Sequence, residues 1–369
     1  MSYLNISEDD KALVWLDNYE FMTYKKKDKL LSLFESPKEI LLHDKITSNK
    51  EELLKFLNNE EFEILLSQCN NFEIEAVLNN LDKTNIKFIT CFSENYPVTL
   101  RNIDTAPYVL YYKGDINLLN SNCFAVVGSR HITNYGKMAT EKFTKDLVKA
   151  GFTIVSGLAS GVDTVAHNIT LAEKGKTIAV LAGGLNNVYP PTNINLANQI
   201  INNNGLIISE TRPGRKPDSY MFPIRNRIIA AISKGVLITE AQEKSGVIHT
   251  KNYALDYGKD VFAVPGSIFN SSSLGANRMI VNGQAKAVVS SEDILEEYNI
   301  NLNKIAKASF NYTMEESIII NCLQQGEKSF QELVDMTKFE TKTLNSLLTT
   351  LLIRGIIKKL AGNIYYLNN

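Results

Sequence analysis

Seven short apolar runs in the middle of the chain constrain its fold more than any other feature. Segments with helical spacing separate these runs, which read CFAVVGS from Cys123, FTIVSG from Phe152, TIAVLAGG from Thr177, LIISE from Leu206, VLITEA from Val236, VFAVPG from Val261 and AKAVVS from Ala285. Strands that are apolar on both faces are typical of a parallel sheet with helices on both sides. The pattern predicts an α/β fold with an extended Rossmann-like, doubly wound parallel sheet.

The two ends of the chain differ from the middle in composition and in the spacing of their apolar residues. Residues 1–82 are rich in Leu, Glu and Lys, and their apolar positions recur three and four apart, which predicts a small helical domain. From residue 310 onward, two helical patterns precede a third that ends at Gly355 and runs into the hairpin sequence IIKKLAGNIYYL. Three helices and a hairpin predict a winged helix. We therefore expect three domains, spanning 1–82, 83–305 and 310–369, in a chain of 369 residues.

Several classes of protein are disfavoured by composition. The chain has no apolar run of membrane-spanning length and no signal segment, so we expect a cytoplasmic protein without a membrane partner. Its four cysteines are scattered without CxxC spacing, and its four histidines do not complete a zinc-ligand pattern. We expect no metal and no cofactor.

The net charge of −1 conceals a basic middle. Residues 120–290 carry 18 Lys and Arg against 10 Asp and Glu. This balance favours a polyanion as the partner of the middle domain, with a solvated lysine-rich surface as the alternative.

Small residues end almost every predicted strand, as in GSR, SGLASG, AGGL and PGS. In an open α/β sheet the ligand lies beyond the carboxyl ends of the strands, where helix N-termini attract anions. Gly128 is nevertheless followed by Ser129 and Arg130, the next glycine is Gly136, and no GxxxxGK[ST] occurs. We call these strand ends the rim, and their small residues predict phosphate binding. The missing motifs disfavour an NAD enzyme or an NTPase.

A cluster of basic residues follows in the segment ETRPGRKPDSYMFPIRNRIIAAIS, and it indicates a ligand with several phosphates. If a helix begins at Pro223, positions 225 and 227 project to nearly opposite sides. One arginine then faces the ligand, and the alternative for the other is a structural ion pair with Glu210 or Glu240.

Seven ordered motifs between residues 90 and 290 resemble the DNA-processing protein A (DprA/Smf) family. They are ENYPVTLRNIDTAPYVLYYKG, VVGSRHITNYG, SGLASGVDTVAH, IAVLAGGLNNVYPPTN, SETRPGRKP, FPIRNRIIAAIS and SGVIHTKNYAL followed by VFAVPGS. The resemblance implies a Rossmann-like domain that binds single-stranded DNA and forms a homodimer. It also implies protection of incoming DNA and loading of the RecA recombinase during natural transformation, with single-strand-binding protein as a further candidate partner.

The family resemblance also implies a helical, sterile-alpha-motif-like domain in front, and a DNA backbone contact from the arginine of GSR, here Arg130. We predict that DNA is contacted by Gly128, Ser129, Arg130, Ser156, Gly157, Gly161, Asn193, Arg212, Arg215, Lys216, Arg225, Asn226 and Arg227.

The sequence departs from the family pattern at three places. YPPTN has Pro191 and Thr192 where members often offer a lysine, so Arg215 and Lys216 are predicted to supply pocket charge. The N-terminal zone lacks the glycine pair with which a helix-hairpin-helix approaches phosphate. After residue 312 the chain has six basic and six acidic residues, which leaves a DNA-binding and a protein-binding winged helix equally open.

Three other functions remain to be separated. Asp163 and His167 are four apart on a predicted helix and could form a general-base pair, but no nucleophile or metal accompanies them. A nucleotide-binding or nucleotide-hydrolysing enzyme of the lysine-decarboxylase-like group would carry PGGxGTxxE, whereas EAQEKSGVIHT retains only Gly246 and Thr250. A protein scaffold that uses the α/β domain for dimerisation is the third. We expect a binding protein and no enzyme.

Overall fold

The computed structural model describes residues 6–69, 74–300, 313–354, 356–360 and 362–367. The described residues up to 300 form one compact unit, and those from 313 form a second. The predicted boundary between residues 305 and 310 and the predicted helix end at Gly355 lie outside the described residues. The division between residues 82 and 83 stays a prediction, because the helical and α/β segments belong to one unit.

A nine-stranded sheet forms the centre of the first unit. Its strands are β1 (Lys87–Thr90), β2 (Val109–Gly114), β3 (Cys123–Val127), β4 (Thr153–Ser156), β5 (Thr177–Val180), β6 (Leu206–Ser209), β7 (Gly235–Ile238), β8 (Asp260–Ala263) and β9 (Lys286–Ala287). Their order across the sheet is β1-β2-β6-β5-β4-β3-β7-β8-β9. In this order, every adjacent pair within β6-β5-β4-β3-β7-β8-β9 is parallel. Strand β2 runs antiparallel to β6, and β1 runs antiparallel to β2. The predicted Rossmann-like, doubly wound sheet is confirmed.

Helices cover both faces of this sheet. They are α7 (Val98–Arg101), α8 (Asn134–Lys149), α9 (Val162–Ala172), α10 (Ile194–Asn202), α11 (Met221–Ile232), α12 (Val247–Asp256), α13 (Ser271–Val281) and α14 (Glu292–Leu295). Successive strand residues enter different cores: Ile178 packs in the cluster that contains α11, and Ala179 packs in the cluster that contains α10. Burial on both faces is the reason that these strands read as continuous apolar runs.

The described part of residues 1–82 is helical, as predicted. Its helices are α1 (Glu8–Asp17), α2 (Tyr24–Leu31), α3 (His43–Ser48), α4 (Lys50–Leu53), α5 (Asn59–Gln68) and α6 (Ile74–Lys83). Trp15 and Leu16 of α1 lie in the core of this helical region, whereas Leu13 and Val14 pack with residues of the sheet. One helix thus joins the two regions. The resemblance to a sterile alpha motif stays a prediction.

The second unit contains three helices and a small antiparallel sheet. The elements are α15 (Met314–Gln324), β10 (Lys328–Ser329), α16 (Phe330–Thr337), α17 (Thr341–Ile353), β11 (Ile357–Leu360) and β12 (Ile364–Leu367), with strand order β10-β12-β11. Capping boxes start α15 at Thr313 and α16 at Ser329. This is the content expected of a winged helix, and the assignment to that class stays a prediction.

Candidate nucleic-acid interface

A cleft of about 640 Å³ opens at the carboxyl edge of the parallel strands. The loops after β3 and β7 contribute to its walls, and these adjacent strands mark the point where the chain changes direction across the sheet. Ligands of open α/β sheets bind in this crevice. Of the predicted DNA-contacting residues, those that line the cleft are Gly128, Ser129, Arg130, Arg225 and Asn226.

Arg130 is the exposed arginine of the cleft wall. Its guanidinium lies over the ring of Phe222, 5.0 Å from the ring centroid, which is a cation–π arrangement. Phe222 in turn meets the edge of Tyr189, with 5.7 Å between ring centroids. The guanidinium forms no hydrogen bond or ion pair with another described residue. A cation and an aromatic surface therefore remain available side by side.

Glycines bring the loops of the rim into close contact. Gly161 has φ +80°, and a Cβ there would collide with the carbonyl oxygen of Ser129. The same carbonyl accepts a hydrogen bond from the Val162 N–H at 3.1 Å, at the start of α9. Gly161 therefore shapes the rim without presenting a side chain to the cleft.

Arg225 is almost completely buried beneath the rim. One of its guanidinium nitrogens donates to the carbonyl oxygens of Gly157, at 2.7 Å, and of Val180. Its Nε donates to Asn226 Oδ1 at 3.1 Å. A Cβ at Gly157 would lie 2.6 Å from the guanidinium, so glycine permits this packing. Arg225 links the loop after β4 to the end of β5, and it is a positioning residue of the site.

Asp163 and His167 do not form the general-base pair considered above. The Asp163 carboxylate accepts hydrogen bonds from the N–H groups of Gly157 and Ala159 at 3.1 and 3.3 Å. Burial raises the pKa of Asp163, and the nearby Arg225 opposes that rise. His167 Nδ1 lies 2.7 Å from the hydroxyl of Thr177. Burial lowers the pKa of His167 to about 3, so its imidazole is neutral near pH 7.

Arg227 lies on the other side of α11 and does not line the cleft. Its guanidinium donates to both carboxylate oxygens of Glu210, at 2.9 and 2.6 Å, and only 3% of the residue is exposed. The prediction that positions 225 and 227 project to opposite sides is confirmed, and Glu210 is the partner. Its predicted DNA contact is not supported by this placement, because its donors are used inside the protein.

The remaining predicted cations lie outside the cleft lining as well. Arg212 pairs with Glu20 at 3.3 Å, and Arg215 donates to the Tyr220 hydroxyl at 2.8 Å. Lys216 is exposed, but the loop contributes the neighbouring Pro217 to the cleft wall. The structure thus does not bring the pocket charge predicted from residues 215 and 216 into the cleft.

Two further residues predicted to contact DNA instead form hydrogen bonds that stabilise the loops of the rim. The Asn193 side-chain amide donates to Leu158 O at 2.9 Å and to the Thr164 hydroxyl at 2.8 Å. Ser156 is fully buried and donates to Val126 O at 2.7 Å. Both residues shape the site rather than face it.

Sequence reasoning missed several residues of the cleft wall. Tyr189 and Phe222 stand within the motifs YPPTN and FPIRNR, and the exposed Lys244 and His249 belong to the segment after β7. The available signal was an aromatic residue at the start of each motif, of which FPIRNR is also basic. Their meeting in space depends on loop conformation, which a linear pattern does not fix.

The described part of the chain also lacks two features that would suggest other functions. There, no group of three or more His, Cys, Asp or Glu side chains could hold a metal ion. Within the same residues, no helix has the length and apolar character needed to span a membrane.

Comparison with known proteins assigns the chain to a family. The sequence profile of the family DNA recombination-mediator protein A matches residues 87–299, which is more than half of the chain. The DNA processing protein DprA of Bacillus subtilis is 43% identical over 213 residues, covering 58% of this chain and 71% of that protein.

Two solved structures support the same assignment. DNA processing protein A from Streptococcus pneumoniae matches with a TM-score of 0.67 and 34% identity, over 80% of this chain and 99% of that one. DNA processing protein A from Helicobacter pylori, reported with its single-stranded DNA binding mode, matches with a TM-score of 0.52 and 32% identity, over 60% of this chain and 97% of that one. The resemblance seen in the motifs is confirmed: the chain belongs to the DNA recombination-mediator protein A family.

Proposed function

We propose that this protein binds single-stranded DNA in the cleft at the carboxyl edge of its sheet. The observation that carries the proposal is the Arg130 guanidinium, which is exposed and lies over the ring of Phe222. A backbone phosphate pairs with the guanidinium, and an unpaired base stacks on the aromatic surface formed by Phe222 and Tyr189. The single-stranded DNA bound by the H. pylori relative supports this choice of ligand.

The contacts of the cleft favour binding without strong sequence preference. Stacking accepts every base, and a phosphate contact is the same at every nucleotide. Duplex DNA hides its base faces inside the stack, so it offers the aromatic pair nothing to stack on. The buried, neutral His167 and the fully engaged Asp163 support a binding role rather than an enzymatic one.

The decisive experiment replaces Arg130. We expect Arg130→Ala to weaken binding of a dT oligomer by about 1.5–3 kcal/mol, since one charge-assisted hydrogen bond is lost. The slope of log affinity against log salt should become shallower by about 0.7 if one phosphate contact disappears. Fluorescence anisotropy at several salt concentrations measures both quantities.

The matched control is Arg278→Ala, which removes an equal charge from an exposed position of α13 outside the cleft lining. That variant should keep the affinity and the salt slope of the wild type. A folded Arg130→Ala protein with wild-type affinity would remove Arg130 from the site and with it the proposal.

We further propose that the protein acts as a homodimer that protects incoming DNA and loads RecA onto it in the cytoplasm during natural transformation. Single-strand-binding protein is the coat that RecA must replace. Phe269 and Ile268 support the dimer, because 94% and 72% of these apolar residues are exposed beside the end of β8. Two clefts in one dimer would hold a strand at separate points, and each could release it separately.

Recombination kinetics test the dimer and loading together. On DNA covered by single-strand-binding protein, wild-type protein at substoichiometric amounts should shorten the lag of RecA filament formation. Phe269→Asp should be monomeric in analytical ultracentrifugation and should lose this acceleration. Equal acceleration by a monomeric variant would defeat the loading proposal and leave DNA binding intact.

A further inference from the structure

The N-terminus of α8 is the place where a Rossmann-like fold usually holds a nucleotide phosphate. This helix follows β3, the central strand at which the sheet changes direction. Free N–H groups at the start of such a helix attract an anion because the helix dipole adds to their own partial charge. In this protein a carboxylate of the chain itself lies beside that position.

Glu240, which follows β7, supplies the anion. One of its carboxylate oxygens accepts from the Thr133 N–H at 2.9 Å, and the other accepts from the Thr133 hydroxyl at 2.6 Å. Thr133 is the N-cap of α8, and its hydroxyl oxygen also accepts from the Gly136 N–H at 3.1 Å. Glu240 is 1% exposed, and its backbone carbonyl accepts from the Ser129 N–H at 2.8 Å.

The backbone of α8 approaches this carboxylate closely. A Cβ at Gly136 would lie 2.6 Å from a Glu240 carboxylate oxygen, closer than real Cβ contacts come. The glycine that remains of the nucleotide-binding pattern therefore makes room for an internal carboxylate. A phosphate at the helix start would lie against the negative charge of this carboxylate.

The next turn along the sheet repeats this arrangement. Between β4 and α9, the Asp163 carboxylate accepts the N–H groups of Gly157 and Ala159. The turn between β3 and α8 and the turn between β4 and α9 thus each hold a carboxylate from the chain itself. A monophosphate or nucleotide entering either turn would meet the negative charge of that carboxylate and would find the N–H groups of Thr133, or of Gly157 and Ala159, already bonded.

We propose that Glu240 is a specificity residue that excludes nucleotide phosphates from the α8 N-terminus and leaves the exposed Arg130 to receive the phosphates of a strand. This proposal rests on the function proposed above for Arg130. It predicts discrimination: the wild type binds a dT oligomer far more tightly than dTMP, AMP or orthophosphate.

The test compares two variants of Glu240 with the wild type. Glu240→Gln keeps the shape and removes the charge, and Glu240→Asp keeps the charge. We expect Glu240→Gln to bind dTMP and orthophosphate roughly tenfold more tightly than the wild type, since the repulsion is gone. Glu240→Asp should still exclude both. Isothermal titration calorimetry with dTMP and with orthophosphate gives the dissociation constants.

Glu240→Ala provides an independent measurement. Removing the side chain leaves the Thr133 donors unpaired beside an empty space, so the melting temperature should fall. Sodium formate should restore part of that loss, whereas sodium chloride at the same ionic strength should not. The wild type should show no difference between the two salts.

Equal dTMP affinity for wild type and Glu240→Gln would overturn the proposal, as would a Glu240→Ala protein that formate does not stabilise beyond chloride. If Glu240→Ala does not fold, the Gln and Asp pair still decides the matter. Binding of the dT oligomer is measured in parallel. Its absence in the wild type would defeat the proposed function, whereas the dTMP series tests Glu240 by itself.

Discussion

Replacing Arg225 with methionine should destabilise the protein rather than remove a DNA contact. The wild-type guanidinium donates to two buried carbonyl oxygens, those of Gly157 and Val180, and lies close enough to Asp163 to oppose the rise that burial causes in its pKa. Methionine fills similar volume but satisfies neither carbonyl, and it leaves the Asp163 carboxylate buried without its cation. Breaking a buried charge pair in this way costs about 3–5 kcal/mol of unfolding free energy. Urea denaturation followed by far-UV circular dichroism measures the change.

A double-mutant cycle assigns that cost to the pair. Asp163→Asn keeps an oxygen that accepts from Gly157 and Ala159, so combining it with Arg225→Met should remove the uncompensated charge. The double variant should therefore be more stable than the sum of the single effects predicts, by about 1 kcal/mol or more. Arg278→Met, at an exposed site, is the control and should change the unfolding free energy by less than about 0.5 kcal/mol.

The pH dependence of the Arg225→Met effect has a definite sign. Burial raises the pKa of Asp163 above its ordinary 3.8, and Arg225 restrains that rise. Without Arg225 the folded state holds the Asp163 proton more tightly, so stability is lost as pH rises from about 3.8 through the higher folded pKa. The gap between wild type and variant should widen from acid to neutral pH. An unchanged unfolding free energy together with a shallower salt slope for dT binding would refute the reasoning and make Arg225 a DNA ligand.

The other predictions concern the aromatic pair, the buried histidine and catalysis. Phe222→Leu should weaken dT-oligomer binding by about 1–3 kcal/mol through lost stacking, with the exposed neighbour Ile224→Ala unchanged, as measured by fluorescence anisotropy. The pKa of His167 falls to about 3 in the folded state, so the unfolded state takes up a proton first as pH drops below 6.5. Wild-type stability should therefore fall by up to about 1.4 kcal/mol per pH unit more steeply than that of His167→Asn between pH 6 and pH 4. Purified protein should not hydrolyse ATP or dTMP, and steady turnover that Asp163→Asn or His167→Ala abolishes would contradict the binding role.

The strands were predictable because their environment marks the sequence directly. All seven apolar runs became strands of the parallel sheet, since burial on both faces leaves no polar alternation. The edge strand was predicted least well. The run AKAVVS yields only Lys286–Ala287, both exposed, because β9 has a neighbour on one side and few constraints on the other.

Helical geometry also predicted the separation of Arg225 from Arg227, but the roles of the two arginines were beyond it. A period of 3.6 residues places these side chains on opposite sides, whatever surrounds them. Glu210, the partner of Arg227, follows β6, and the carbonyl partners of Arg225 lie at the end of β5 and just after β4. The sequence named Glu210 or Glu240 as a possible partner for one arginine, but it did not indicate which arginine would pair or the carbonyl oxygens that Arg225 contacts.

The same distinction accounts for the arginine that ends the GSR motif. Arg225 and Arg227 point inward and donate hydrogen bonds to carbonyl and carboxylate oxygens, so their guanidinium groups are not available to a ligand. At the start of α8 the Thr133 N–H and hydroxyl are likewise bonded to the Glu240 carboxylate, whose charge opposes a second anion there. A phosphate at this rim therefore needs a cation that projects beyond the internal carboxylate and remains in water. Arg130 follows the buried strand at the point where the loop turns outward, and Phe222 supports its guanidinium on one face. Arg130 is exposed and its guanidinium has no hydrogen-bond or ion-pair partner among the described residues, which suits the proposed binding of a long, exposed chain of phosphates better than a single enclosed nucleotide.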